Sequence, residues 1–146
     1  MEKIDQQMAK RVWQRVQGEG FSVRPMLAAE RRCNSALQHL RRMLPGKGRA
    51  WQQLEEGCRQ RIRCLLGIDN LLTGERLKEL PLKPRQETPQ GLLRHCYQQS
   101  VALMAEYQRW GDHPEYGGVF TEFAGQMRQQ CIKLLEILGD MEKSTR

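Results

Sequence analysis

The sequence predicts an all-α protein: a four-helix bundle made of two antiparallel helical hairpins, with one extra helix at the N-terminus. Apolar residues recur at steps of three and four in four long segments, which places each set on one face of a helix. No segment alternates apolar and polar residues over a useful length, so no sheet is expected. The length of 146 residues suits a single domain spanning 1–146.

The first half of the chain predicts an N-terminal helix and then a hairpin. Residues 3–17 carry an apolar stripe at helical spacing. A hairpin follows over 25–74, beginning with Pro25, whose missing N–H costs nothing in the first turn of a helix. The turn at Pro45 is short, which implies that the two helices are antiparallel neighbours, and Gly74 ends the second of them.

The second half predicts a linker and a second hairpin. Pro81 and Pro84 forbid a continuous helix between the hairpins. Thr88 and Pro89 then suit the cap and the first position of a new helix. The predicted boundaries are a crossover linker at 75–88, a second hairpin at 89–139 that ends at Gly139, and a charged tail at 140–146.

A polar residue interrupts each of the four apolar stripes. The four interruptions are Glu30, Arg61, Ser100 and Gln130. The apolar stripe around Ser100 consists of Leu93, Tyr97, Met104 and Tyr107. Glu30 lies about 15 residues before the first hairpin turn and Arg61 about 14 after it, so the two residues should lie at nearly the same height. We predict a buried Glu30–Arg61 ion pair, because an unpaired charge in a core is costly. In the alternative, Arg61 turns off the stripe and its guanidinium reaches solvent.

Several segments resemble rubrerythrin-like proteins of the ferritin-like superfamily. They are Cys64–Gly74, Cys96–Tyr97, Ala105–Tyr107 and Asp112–Gly117. The resemblance covers about residues 25–139 and implies a ferritin-like bundle. Such bundles include folds in which a long crossover joins the hairpins, as the linker predicts here.

In rubrerythrin-like proteins two irons are held by six side chains: a Glu on the first helix of each hairpin and a Glu-x-x-His on the second. Carried over by position, these slots fall on Glu30, Cys58, Arg61, Ser100, Met127 and Gln130. Glu30 alone keeps the ligand type, and no Glu-x-x-His occurs anywhere in the sequence. The resemblance therefore implies a degenerate di-iron site, with no metal, no cofactor and no catalytic residue.

The predicted function is a non-catalytic structural or interaction module, and two alternatives stay open. The first is a rubrerythrin-like oxidoreductase with a remodelled metal or peroxide site at Glu30 and Cys58, since a thiolate and the Met127 thioether suit soft ions. The second is a basic nucleic-acid-binding protein, because 24 Lys and Arg outnumber 17 Asp and Glu. Those cations are spread over every helix among Gln and Glu, so only weak nucleic-acid binding is expected.

The chain is expected in the cytoplasm. Its N-terminus has no secretory signal, and no apolar run is long enough to span a membrane. Five cysteines without tight metal spacing suit reduced, buried thiols. A four-helix core does not need the apolar stripe of the helix at 3–17, so this helix either packs across the bundle or contacts another subunit. We expect contact with a second copy or another protein partner.

Overall fold

Four helices and one short 3₁₀ turn form the part of the protein that the structure describes. The structure is a computed structural model and describes residues 21–78, 81–82 and 87–144. The elements are α1 at Arg24–Met43, the 3₁₀ turn at Pro45–Lys47, α2 at Gly48–Thr73, α3 at Pro89–Arg109 and α4 at Gly117–Ser144. Every regular element in these ranges is helical, which confirms the predicted all-α class. The helix predicted at 3–17 lies outside the described residues.

Local chemistry explains three of the helix ends. Pro25 occupies the first turn of α1. At the end of α2, Gly74 adopts a left-handed conformation with φ of 70°, and its N–H donates to the Asn70 carbonyl at 2.8 Å. At the start of α3, the Thr88 hydroxyl accepts a hydrogen bond from the Gly91 N–H at 3.1 Å. All three positions agree with the sequence-based boundaries.

α4 differs from the prediction at its C-terminal end. The helix passes through Gly139 and continues to Ser144, so the predicted end of the second hairpin at 139 and the predicted tail are wrong over 140–144. Residues 145–146 of that tail lie outside the described residues. Met141 packs against the core, and the Asp140 carboxylate lies 3.2 Å from Lys47 Nζ. These tertiary contacts outweigh the low helix propensity of glycine, which was the basis of the predicted stop.

The four helices surround one apolar core. α1 packs against α2 and against α3, α3 packs against α4, and α2 and α4 make the sparsest contact among the helix pairs that touch. α1 and α3 run antiparallel, and the Cys33 and Cys96 thiols each donate to the backbone carbonyl of the other residue at 3.8 Å. The largest enclosed apolar and aromatic side chains include Trp51, Tyr107, Phe120, Met26 and Met127. The result is a helical bundle in which both hairpins contribute to the core.

One predicted apolar stripe is displaced by a residue. Their spacing from Ser100 predicts Tyr97 and Met104 on the inner face of α3, but both are only partly buried. Their neighbours Cys96 and Leu103 occupy the core instead. Either choice keeps a helical step of three or four from Ser100, so spacing alone did not separate them.

None of the helices in the described ranges combines the length and the apolar character needed to cross a membrane.

Candidate functional site

The six residues at the predicted slots all lie inside the bundle. Their exposed fractions are 0% for Glu30, Cys58, Ser100 and Met127, 2% for Arg61 and 4% for Gln130. α1 supplies Glu30, α2 supplies Cys58 and Arg61, α3 supplies Ser100, and α4 supplies the other two. The alternative in which the guanidinium of Arg61 reaches solvent does not occur.

Glu30 and Arg61 form an ion pair between α1 and α2. The Arg61 Nε donates to Glu30 Oε1 at 2.7 Å. The Tyr107 hydroxyl, from α3, donates to the same oxygen at 2.9 Å. Glu30 Oε2 accepts no hydrogen bond from the described residues. Two donors therefore converge on one carboxylate oxygen, in a place where a charge without partners would be strongly unfavourable.

The other side of the guanidinium reaches α4. Arg61 Nη2 donates to Gln130 Oε1 at 2.9 Å, and Nη1 donates to Gln126 Oε1 at 3.2 Å. The Gln130 amide then donates to Ser100 Oγ at 2.8 Å, and that hydroxyl donates to the Cys96 carbonyl at 2.7 Å. One hydrogen-bonded network, centred on Arg61, thus joins all four helices and links the two hairpins.

Gly57 makes room for this guanidinium. It lies one turn before Arg61 in the middle of α2, and a Cβ added to it would lie 3.2 Å from Arg61 Nη1. A glycine inside a helix is unfavourable by about 0.5–1 kcal/mol relative to alanine. The unfavourable glycine therefore lies at the point of α2 where the Arg61 guanidinium packs against the helix.

Burial and charge set the protonation states at this centre. Burial works against the charge on Arg61, but the charge and the hydrogen bond of Glu30 outweigh it, so the pKa of Arg61 lies above its ordinary value. Burial, followed by the charge of Glu30, raises the pKa of Tyr107. The same two causes raise the pKa of Cys58 well above its ordinary value. At neutral pH the centre therefore holds a guanidinium cation, a neutral phenol and a neutral thiol.

These residues do not fit a pair of irons. A di-iron centre in a bundle needs several carboxylates and histidines, whereas Glu30 is the one such group among the six slots. The Arg61 guanidinium supplies a fixed positive charge beside it, with Nη2 3.5 Å from Cys58 Sγ, and this charge repels a metal cation. Among the described residues, no group of three or more His, Cys, Asp and Glu is arranged to hold a metal ion.

Two members of the network were missed by the sequence analysis. Tyr107 was assigned to the apolar stripe of α3, but its hydroxyl is a donor to Glu30. Gln126 was not singled out, although it lies four residues before Gln130 and therefore on the same side of α4. That spacing was the available signal for Gln126, whereas nothing in the sequence indicated which carboxylate the Tyr107 hydroxyl would reach.

Two further buried acids on α2 pair with arginines of α1, and the sequence analysis missed both. Asp69 Oδ1 lies 3.1 Å from Arg24 Nε, and Glu55 Oε2 lies 3.3 Å from Arg41 Nε. Both carboxylates are almost fully enclosed, whereas the two arginines are partly exposed. Together with the central pair, these contacts place three ion pairs along the α1–α2 hairpin.

Compared with protein-family models, curated proteins and solved structures, the chain has no match. Function is therefore inferred from the core and the surface of this chain itself. The rubrerythrin-like resemblance stays a prediction based on the segments and slot positions given above.

Proposed function

We propose that this protein is a metal-free, ferritin-like bundle that acts as a non-catalytic structural or interaction module. The observation that supports this proposal is the Arg61 guanidinium at the centre of the bundle, 2.7 Å from Glu30 and 2.9 Å from Gln130. In the proteins that the sequence resembles, iron ions supply positive charge at the corresponding slots. Here the guanidinium of Arg61 neutralises the carboxylate of Glu30 and connects the two hairpins through its hydrogen bond to Gln130.

The protonation states weigh against the oxidoreductase alternative at Glu30 and Cys58. A reactive cysteine needs its thiolate, because the thiolate is the nucleophile that attacks a peroxide. Cys58 is fully buried, and its pKa is raised well above the ordinary value, so it stays a thiol. The pKa values of Arg61 and Tyr107 are also raised, so both keep their protons at neutral pH and neither can act there as a general base.

Metal analysis of the full chain tests the core of the proposal. Protein purified from iron-supplemented medium should contain well under one iron per chain by plasma emission. Stoichiometric iron with an oxo-bridge absorption band would overturn the proposal in favour of the oxidoreductase.

A variant with restored ligands tests the slot assignment separately. The five substitutions are Cys58→Glu, Arg61→His, Ser100→Glu, Met127→Glu and Gln130→His. If the bundle is ferritin-like, this variant should gain up to two irons per chain, because each slot again carries its ligand type. Circular dichroism establishes whether the variant is helical. A helical variant that takes up no iron contradicts the slot assignment.

We also propose that the module works in the cytoplasm and self-associates through the segment at 3–17. Light scattering should show an oligomer for the full chain and a monomer for a chain that lacks residues 1–20. A monomeric full chain would contradict this part of the proposal without touching the core.

A further inference from the structure

Positive charge is concentrated on one of the two hairpins. Residues 24–78 carry 12 Lys and Arg against 5 Asp and Glu, a net charge of +7. Residues 87–144 carry 5 against 8, a net charge of −3. The cations are spread over all four helices, but among the described residues their excess belongs entirely to the first hairpin and its adjoining linker residues.

Folding leaves this net charge unchanged but removes most of the acids from the surface. Three of the five acids in the first hairpin are Glu30, Glu55 and Asp69, which are buried against arginines as described above. Glu56 and Glu75 are the acids of residues 24–78 that remain outside the core. Nine cations of the same range do not take part in the three buried pairs. They are Arg31, Arg32, Arg42, Lys47, Arg49, Arg59, Arg63, Arg76 and Lys78.

A groove of about 530 Å³ runs between α1 and α2 on this hairpin. Its polar lining consists of Arg31, Asn34, Ser35, Gln38, Arg59 and Arg63. The other lining residues are apolar, and no acidic side chain among the described residues lines the groove. Arginine together with hydroxyl and amide side chains is the donor set that proteins use to contact phosphate and sugar oxygens of DNA.

Further cations lie at both ends of the groove. Arg76 and Lys78 follow the end of α2, and Arg42 and Arg49 flank the turn at the opposite end. α2 has 26 residues and is therefore about 39 Å long, close to the ~34–36 Å of one turn of a B-DNA duplex. Cations distributed over this length suit an extended polyanion better than a small phosphate compound.

From these observations we infer that the α1–α2 face, defined by Arg31, Arg42, Arg59 and Arg63, binds the phosphate backbone of double-stranded DNA without sequence preference. Among the described residues no aromatic side chain lines the groove, so the platform on which single-stranded bases stack is lacking there. The inference goes beyond the proposed function. It rests on the surface of the hairpin and not on the chemistry of the core.

Glu56 opposes this binding. Its carboxylate lies 2.8 Å from Arg59 Nη2 and 3.4 Å from Arg63 Nη2. The hydrogen bond and the charge of Arg59 lower the pKa of Glu56 despite some desolvation, so the carboxylate stays ionised and competes with phosphate for both arginines. Removing this one charge should therefore strengthen binding.

The test is fluorescence anisotropy of the full chain with a labelled duplex of about 20 base pairs, titrated between about 50 and 200 mM salt. We expect micromolar or tighter binding at the lowest salt and a slope of log K against log salt of about −3 to −5. Arg59→Gln with Arg63→Gln should weaken binding about tenfold or more and reduce the slope by about 2.

Matched variants on the second hairpin distinguish binding at a defined face from attraction to the net charge of the protein. Arg94→Gln with Arg128→Gln removes the same charge from exposed positions of α3 and α4 and should change affinity by about twofold at most. Glu56→Gln should tighten binding by about threefold. Glu136→Gln is the control, because it removes the carboxylate that lies 3.7 Å from Lys133 Nζ on α4, and it should leave the affinity for DNA unchanged.

Three outcomes would overturn the inference. Equal weakening by the two arginine pairs would show attraction to net charge without a defined face. Tighter binding of a single strand would identify a stacking site. Displacement of the duplex by polyglutamate at the same charge concentration would favour an acidic protein as the partner. The metal analysis tests the core and the anisotropy titration tests the α1–α2 face. DNA binding and the proposed function can therefore fail independently.

Discussion

At the scale of single residues, Arg61 sets the chemistry of the core. Its guanidinium donates to Glu30, Gln126 and Gln130, and those side chains come from α1 and α4. A buried ion pair adds little net stability over a well-packed apolar pair, because removing two charges from water costs about as much as their attraction returns. Removing one member of the network, in contrast, leaves the others buried without partners.

Replacing Arg61 alone should destabilise the protein strongly. Arg61→Met leaves Glu30 as an unpaired buried carboxylate, and the expected loss in the free energy of unfolding is about 3–5 kcal/mol. Glu30→Leu combined with Arg61→Met removes both charges and should recover most of that loss. Urea denaturation followed by circular dichroism measures all three variants. Equal midpoints for the wild type, the single variants and the double variant would show that the pair makes no energetic difference.

Alanine at Gly57 should have opposite effects in two backgrounds. In the wild type the added Cβ would lie 3.2 Å from the hydrogen-bonded Arg61 guanidinium, so Gly57→Ala should lower the free energy of unfolding by about 1 kcal/mol. In Arg61→Met the obstacle is absent, and alanine should raise it by about 0.5–1 kcal/mol. Gly67→Ala is the control on the same helix, because nothing lies within 4 Å of the added Cβ, and it should stabilise both backgrounds. A stabilising Gly57→Ala in the wild type would contradict this account.

At the scale of helices, ends fixed by local chemistry were predictable and ends fixed by packing were not. Pro25, Gly74 and Thr88 mark boundaries through properties of their own backbone or side chain. Gly139 also predicted the end of a helix, yet α4 continues to Ser144 because Met141 packs against the core. The contribution of Met141 depends on where the other helices lie, and this information is not local to the segment.

Removing the cap of α3 should cost a predictable amount. Thr88→Ala deletes the oxygen that accepts the Gly91 N–H, and the free energy of unfolding should fall by about 1 kcal/mol. Thr88→Ser keeps a hydroxyl at the same position and should remain within a few tenths of a kcal/mol of the wild type. Chemical denaturation of both variants checks the cap. An equal loss for serine and alanine would assign the effect to the threonine methyl group instead.

At the scale of the whole molecule, periodicity identified the buried face of each helix but not the partners across the core. The helical class and the burial of all six slot residues follow from spacing alone. The hydrogen bond of the Tyr107 hydroxyl to Glu30 does not, because it depends on which side chains packing brings together. The pairing of Glu55 and Asp69 with arginines of α1 also depends on packing, and it leaves few acids on the surface of the first hairpin.

The stability of the molecule should fall in alkali. Burial and the charge of Glu30 raise the pKa values of Cys58 and Tyr107, and a hydrogen bond with Cys33 together with burial raises that of Cys96. Above about pH 8.5 for the thiols and pH 10 for the phenol, the unfolded chain releases these protons while the folded chain keeps them. The unfolded state then binds fewer protons than the folded state. The contribution of these groups to the free energy of unfolding is therefore fully present below this pH range, and above it falls by about 1.4 kcal/mol per pH unit for each group.

Urea titrations under reducing conditions between about pH 7 and pH 10 measure this slope. Cys58→Ala with Cys96→Ala should start from a lower stability and show a shallower decline above about pH 8.5, because two of the titrating groups are gone. Unchanged stability across the whole range would contradict the assignment.

The two described tryptophans give each pole of the bundle its own optical reporter. Trp51 is fully enclosed beside the α1–α2 turn, where its indole N–H donates to the Leu44 carbonyl at 3.2 Å. Trp110 lies at the opposite pole, partly exposed, with its ring 4.8 Å from that of Phe21. In a Trp13→Phe background, emission from Trp51 should be blue-shifted and resistant to acrylamide, while Trp110 should be quenched readily. Fraying that begins at one pole would then be visible as a change in one emission before the other, with no label attached to the chain.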